Sequence, residues 1–159
     1  MGEAAGPWEC RFSGIPFTGE LQLLNPDFPI AGKRSSLDVP VRPIRKKPPF
    51  TSGSAVMFWE AMLPYYPGFV LWNALPLHPH RPGNPLSVRA PRKKEILRFL
   101  PGLKLLRDFL RPQFTVAVGG NADFALRSAG ESPFRVRHPS QGGKREFASG
   151  IREVFHVLT

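Results

Sequence analysis

The sequence contains little cysteine and no long apolar run, and each shortage excludes a class of protein. Cys10 is its one cysteine, and a single thiol allows neither an intramolecular disulfide nor a zinc or iron–sulfur site built from cysteines. A run of about 18 apolar residues, as a membrane span requires, is missing, and the first residues lack the basic and then apolar order of a secretory signal. We therefore expect a soluble, cytoplasmic protein without a membrane partner.

Acidic residues are also scarce, with 12 Asp and Glu against 22 Lys and Arg, which leaves a net charge of +10. A basic surface gains affinity for nucleic acid by releasing condensed counterions, although basic surfaces also bind membranes and acidic proteins. The 159 residues, of which 42% are hydrophobic, are enough for one core. We predict a single domain over residues 1–159, with nucleic acid as a candidate partner.

Apolar periodicity predicts an alternation of helices and strands after a loop-like opening. Residues 1–20 are rich in glycine and proline and show no period, so they are predicted to form a loop; residues 38–54 are basic, interrupted by proline and typical of a surface connection. Helices are predicted at 56–66 with Ser54 as N-cap, at 92–110 with Pro101 at a kink or a break, at 122–129 and at 144–158. Strands are predicted at 69–72, 114–118 and 134–137.

This order of elements predicts a three-layer α/β/α sandwich whose central sheet is mainly parallel. In such sheets ligands bind outside the carboxyl ends of the strands. Asn73, the turn Gly119-Gly120-Asn121 and His138 all lie at predicted strand ends. These three positions are therefore the first candidates for a functional site.

Four segments resemble, in order, the uracil-DNA glycosylase superfamily: Gly2-Glu3-Ala4-Ala5-Gly6, Gly14-Ile15-Pro16-Phe17, Trp72-Asn73-Ala74 and His138-Pro139-Ser140. The stretch 72–87 and the run His-Pro-Ser-Gln-Gly-Gly at 138–143 look especially like a bacterial branch that lacks an iron–sulfur cluster. The resemblance covers nearly the whole chain. It implies hydrolysis of the bond between uracil and deoxyribose in single- or double-stranded DNA, after the nucleotide is flipped out of the helix, as a step of base excision repair.

The resemblance also implies that the protein is a monomer in the bacterial cytoplasm, at the nucleoid, that needs no cofactor and no metal. His138 matches the histidine that hydrogen-bonds the developing uracil anion. Asn73 matches the asparagine that reads the uracil edge, and Phe17 the aromatic ring on which the base stacks. Gly2 and Ala4 belong to the same uracil-binding region.

The segment after His138 is similar to the part of the family that grips DNA. The resemblance implies that Ser140, Gly142, Gly143 and Lys144 take phosphates at a helix N-terminus, where backbone N–H groups and the helix dipole favour an anion. The side chain that fills the vacated base stack would be Gln141 or Arg145.

Two departures from the family pattern keep other functions open. Several branches carry an acid or amide where this chain has Ala4, so Glu3 is the nearest carboxylate that could position water or stabilise sugar charge. A nucleic-acid-binding protein with the glycosylase fold but little or no turnover is therefore the main alternative, and a nucleotide-binding module of unrelated function is a third. His78 and His80 form a His-X-His pair. The prolines in the same loop indicate an exposed segment rather than a zinc site.

The second departure concerns the start of the sheet. In the family a central strand precedes the Gly-Glu motif, whereas this sequence begins at Met1, directly on the motif. The expectation is either a coding start upstream of Met1 or a fragment whose sheet exposes an unpaired edge. We predict that the chain as given aggregates or unfolds easily when expressed, as measured by solubility and urea denaturation. A soluble protein with a single cooperative unfolding transition would contradict this.

Overall fold

A computed structural model of the chain describes residues 1–36 and 47–157. The protein is a mixed α/β structure with two short sheets, each made of two parallel strands. The predicted surface connection at 38–54 lies mostly outside the described residues, as does residue 158 of the last predicted helix. The predicted fold class, a mixed α/β structure with parallel strands, is confirmed.

The first sheet pairs β1 (Gly2–Ala4) with β2 (Asn73–Leu75), and the second pairs β3 (Val116–Val118) with β4 (Phe134–Val136). The register places Gly2 opposite Asn73 and Val116 opposite Phe134. All four strands are three residues long.

Met1 connects the two sheets through backbone hydrogen bonds. Its amino nitrogen donates to the Val116 carbonyl at 2.5 Å, and its carbonyl accepts from the Val118 N–H at 2.9 Å. On the opposite side, the Gly2 N–H donates to the Trp72 carbonyl at 2.8 Å. The backbone of residues 1–4 is therefore hydrogen-bonded to the second sheet on one side and to residue 72 on the other.

Seven α-helices surround these strands in the described part of the chain. They are α1 (Cys10–Ser13), α2 (Glu20–Leu23), α3 (Gly53–Met62, followed by a 3-10 turn at Leu63–Tyr65), α4 (Lys93–Arg98), α5 (Leu100–Leu110), α6 (Gly120–Ser128) and α7 (Lys144–Val157). No helix within the ranges described above has both the length and the apolar character that a membrane crossing requires.

The main core lies between α3, α7 and the second sheet. Phe58, Trp59, Phe147 and Ile151 are buried in it together with the strand residues Val118 and Val136. A second cluster packs α4, α5 and α6 against β2 through residues that include Leu75, Ile96, Leu103 and Ala125. The helix at 144–158 was predicted from its apolar spacing, which includes the core residues Phe147 and Ile151. The structure confirms this helix as α7, as far as residue 157.

Several predicted boundaries agree with the structure. The strands at 114–118 and 134–137 and the helices at 122–129 and 144–158 are confirmed within about two residues, the usual uncertainty of helix and strand ends. Pro101 does split the predicted helix at 92–110: α4 ends before Phe99, and the proline lies in the first turn of α5, where no backbone N–H is needed.

Three local predictions were wrong. Residues 1–20 are not a loop, because they contain β1, α1 and the start of α2. The strand predicted at 69–72 lies instead at Asn73–Leu75, where β1 supplies the partner that a strand needs. The N-cap of α3 is Ser52, whose hydroxyl accepts from the Ala55 N–H at 3.1 Å, and not Ser54.

Glu20 is a completely buried carboxylate that holds two distant segments together. Its Oε1 accepts the N–H groups of Ser35 and Ser36 at 2.8 Å each, and its Oε2 accepts the N–H of Phe50 at 2.9 Å. Burial raises the pKa of Glu20, but the hydrogen bonds from Ser36, Phe50 and Ser35 outweigh burial, so the pKa lies below its ordinary value.

We predict that Glu20→Gln lowers the free energy of unfolding at pH 7 by about 2 kcal/mol, the scale of a charge-assisted hydrogen bond. A carboxyl whose pKa is lower in the folded state stabilises above its unfolded pKa and loses that contribution as the pH falls. In urea denaturation the gap between parent and variant should therefore narrow as the pH falls below about 4.3, the ordinary pKa of a glutamate. The exposed Glu153→Gln variant is the control, and a gap independent of pH would refute this role.

Candidate functional site

Phe17 lies in a tight turn and has an unusual backbone conformation. Gly14 ends α1 with a φ of 75°, and Phe17 itself has a φ of 54°, in the left-handed region that side chains with a Cβ rarely adopt. Its ring stacks parallel on Phe58, with 4.3 Å between centroids and 3° between planes. Thr18 anchors the turn by accepting from Trp59 Nε1 at 3.0 Å. Such strain is characteristic of functional sites and persists only where surrounding packing enforces it.

Gly2 brings Asn73 and Phe17 together. A methyl group at position 2 would lie 2.5 Å from Asn73 Oδ1 and 2.7 Å from the Phe17 ring, so only glycine allows this approach. Asn73 is buried, and its Nδ2 donates to Cys10 Sγ at 3.4 Å. Its carbonyl oxygen therefore faces Gly2 and Phe17. Ala4, two residues along β1, packs against the second apolar cluster and offers no polar side chain.

His138 follows β4 and lies half-buried beside Phe17, with 5.7 Å between the ring centroids. Its Nδ1 accepts the Ser140 N–H at 3.2 Å and lies 2.7 Å from Ser140 Oγ. Because a backbone N–H can only donate, Nδ1 is the acceptor and a neutral ring carries its proton on Nε2. Burial lowers the pKa of His138; the charge of Glu3 opposes this and that of Arg137 adds to it. The imidazole is therefore neutral near pH 7.

Glu3 lies between His138 and the start of α6. Its Oε1 accepts the N–H of Asn121 at 2.8 Å, in the first turn of that helix. Gly119 has a φ of 95°, and a methyl group there would lie 2.5 Å from the same oxygen. The carboxylate thus compensates the positive end of the α6 dipole while raising the pKa of His138.

The turn between β4 and α7 is sharp and depends on two glycines. Gln141 and Gly142 have φ values of 53° and 79°. A methyl group at Gly143 would lie 2.1 Å from the carbonyl oxygen of His138, so this close approach also requires glycine. Gln141 is exposed and lies three residues after His138 in the sequence.

The first turn of α7 begins directly after these glycines, at Lys144. Its N–H groups have no partner within the helix, which makes the turn suitable for an anion. The Lys144 ammonium lies 2.5 Å from Glu60 Oε2, and Glu146 adds a negative charge to the same turn. Arg145 is exposed.

The structure gathers Gly2, Phe17, Asn73 and His138 at one place, with Glu3 bordering them. Sequence reasoning missed Phe58, which stacks beneath Phe17, and Cys10, which binds the Asn73 amide. The helical spacing of Phe58 indicates only that it is buried, and nothing in the sequence indicates the contact of Cys10.

The prediction that the His-X-His pair lies in an exposed loop is wrong for His78. Its Nδ1 lies 2.9 Å from the Ala5 carbonyl and its Nε2 3.1 Å from the Ser87 carbonyl, which fastens the 78–87 segment to the opening segment. His80 is exposed. Among residues 1–36 and 47–157, no three His, Cys, Asp or Glu side chains are clustered so as to hold a metal ion.

We predict that Cys10 is nearly unreactive in the folded protein. Burial raises the pKa of its thiol to about 12, and the charge of Glu9 adds to this, while the hydrogen bond from Asn73 lowers it. Ellman's reagent at pH 8 should label the native chain at least ~100-fold more slowly than the chain in urea, because little thiolate is present. Cys10→Ser sets the background. Equal rates in both states would show that the thiol is not buried in the folded protein.

Comparisons with known proteins identify no relative of this chain. No family model, no curated protein and no solved structure matches it. A function for this chain is therefore inferred from the arrangement of its own side chains and from the sequence motifs that this arrangement brings together.

Proposed function

We propose that the protein is a uracil-DNA glycosylase that removes deaminated cytosine from DNA by flipping the nucleotide into the site around Asn73 and His138. The observation that carries the proposal is the convergence of Phe17, Asn73 and His138 around Gly2. These residues are far apart in the sequence, and each supplies one requirement of the reaction: a stacking surface, a reader of the base edge and a donor to the leaving group.

Asn73 gives the site its preference for uracil. Its Oδ1 faces Phe17 and Gly2 and would accept the uracil N3–H, while an amide hydrogen would donate to the O4 carbonyl. Cytosine presents the opposite pattern, an acceptor at N3 and a donor at N4. The buried amide would then be left without matched partners, which is costly away from water.

His138 stabilises the leaving group. As the glycosidic bond breaks, the sugar becomes positively charged and uracil departs as an anion, so a donor aimed at a uracil oxygen lowers the barrier. The neutral ring, whose Nδ1 is occupied by Ser140, has its Nε2–H left for this purpose. Removing such a donor costs on the order of a hundredfold or more in rate.

The exposed turn at 140–145 contacts the DNA strand in this proposal. The first turn of α7 would bind a phosphate, and the exposed Gln141 would fill the space left by the flipped base. The net charge of +10 favours association and makes it sensitive to salt.

The fold that we propose for this activity is a three-layer α/β/α sandwich in a monomeric cytoplasmic protein. The two parallel pairs would be the halves of one central sheet in the order β2-β1-β3-β4. Met1, which hydrogen-bonds β3 while Gly2 bonds residue 72, supports this order.

The alternative is a nucleic-acid-binding protein with little or no turnover. Two observations favour it: Ala4 supplies no polar group, and one oxygen of the Glu3 carboxylate is already engaged by the Asn121 N–H. Activation of water would then be weak, although leaving-group stabilisation by His138 would remain.

We predict that the protein releases uracil from a single-stranded oligonucleotide with one deoxyuridine, measured as strand cleavage at the abasic site after alkali. His138→Ala should lower the single-turnover rate at least ~100-fold while leaving DNA affinity nearly unchanged. His80→Ala, which removes an exposed histidine, is the matched control and should retain the parent rate. Salt-dependent binding without any abasic product would favour the alternative, and absence of DNA binding would refute both.

A further inference from the structure

His78 connects two parts of the chain that lie far apart in the sequence. Its Nδ1 is 2.9 Å from the Ala5 carbonyl oxygen, and its Nε2 is 3.1 Å from the Ser87 carbonyl oxygen. Ala5 directly follows β1, and His78 lies three residues after the end of β2, so the ring joins the chain beyond the carboxyl ends of two paired strands. We call the ring and its two carbonyl partners the His78 bridge.

The two partners of this ring determine the protonation state that the bridge requires. A backbone carbonyl oxygen accepts hydrogen bonds and cannot donate one, so each ring nitrogen must carry a hydrogen. A neutral imidazole has one N–H, and only the imidazolium form has two. In a neutral ring, the bare nitrogen and one carbonyl oxygen would face each other as two acceptors, and that contact would be lost. The complete bridge therefore requires a positively charged His78.

His80, two residues further on, has a different requirement. Its Nδ1 lies 3.0 Å from the Arg81 carbonyl oxygen. A neutral ring with its hydrogen on Nδ1 donates to that oxygen, and so does a charged ring. A change of charge on His80 therefore leaves its hydrogen bond in place, whereas the same change on His78 removes one of two hydrogen bonds.

Two charged side chains face the bridge from the segment that follows β1. The buried Glu9 carboxylate lies against Gly6, where a methyl group would be 2.8 Å from its Oε1. Its negative charge favours an imidazolium nearby. Arg11 donates from Nη1 to the Pro85 carbonyl at 2.8 Å. Because arginine does not lose its proton in proteins, this second connection to the loop is independent of pH.

The charged groups that face the bridge from the loop side are cationic. They are His80, whose ring centroid lies 5.9 Å from that of His78, the exposed Arg81, and Arg89, whose Nε donates to the His80 carbonyl at 3.0 Å. Glu95 pairs with Arg89 and offsets its charge. The ring of His78 thus lies between a carboxylate on one side and cations on the other.

We propose that the His78 bridge is a pH-dependent closure, which holds the loop at 78–87 against the chain beyond β1 when His78 is charged and loosens the loop when His78 is neutral. Histidine is the side chain that ordinarily changes its charge between about pH 5 and pH 8. Loss of one ring proton removes one of the two carbonyl contacts, while Arg11 keeps its own. Ala5, which lies two residues after Glu3, is one of the two groups that this change affects. The inference does not depend on the proposed glycosylase activity.

The test is an NMR titration of the full chain from about pH 5 to about pH 8, the range in which histidine changes charge. Ring ¹⁵N spectra report the protonation of His78, and backbone ¹³C spectra report the Ala5 and Ser87 carbonyls without relying on exchangeable amides. At least one of these carbonyl resonances should shift with the same midpoint as the ring. The methyl order parameter of Leu86, which is half-buried in the loop, should fall over the same interval.

Two variants separate His78 from the other groups that titrate. His78→Gln has an amide that donates at every pH, so its loop should show no transition in this range. His80→Gln is the matched control and should keep the transition of the parent.

The parent alone decides the question if His78→Gln does not fold. Carbonyl and Leu86 signals that stay constant while the His78 ring changes charge would overturn the proposal. A transition of the same size in His78→Gln would also overturn it, and neither result would bear on the uracil site.

Discussion

The backbone pairing of residues 1–4 is the constraint on which the rest of the structure depends. Met1 bonds the second sheet and Gly2 bonds residue 72, so this short segment holds the two sheets at a fixed separation. The pairing then places Gly2 against Asn73 and Phe17, and Glu3 against the first turn of α6. An acid or amide at position 4 would lie against an apolar cluster and not in the candidate site, because Ala4 packs against that cluster.

Strain and burial together prepare the site for its proposed chemistry. Two of the three described non-glycine residues with a left-handed backbone, Phe17 and Gln141, border it. Between them lies an imidazole whose pKa is lowered by burial and whose Nδ1 is held by Ser140. These features fix a neutral donor at one place before any ligand arrives, so that no reorganisation is needed when charge develops.

The sequence predicted the helices whose apolar periodicity is strong and the site positions that belong to a recognisable motif. The apolar spacing in α7 and the proline in α5 predicted both elements. The motif positions at Gly2, Asn73 and His138 do converge, but the prediction that Asn73 follows a strand was wrong, because Asn73 is the first residue of β2. The three-residue strand β1 could not be recognised because so short a segment has no alternation to detect. Its partner was placed at 69–72, four residues too early, since register depends on a contact 71 residues away. The contact of Cys10 with Asn73 is likewise tertiary.

The most direct test of the account is the binding of free uracil, the proposed product, to the isotopically labelled protein. The account predicts saturable NMR shifts of the Asn73 side-chain amide and of the His138 ring, with His138 neutral and protonated on Nε2, and no comparable shifts with cytosine. A ring protonated on Nδ1, or shifts that are absent or equal for the two bases, would contradict it.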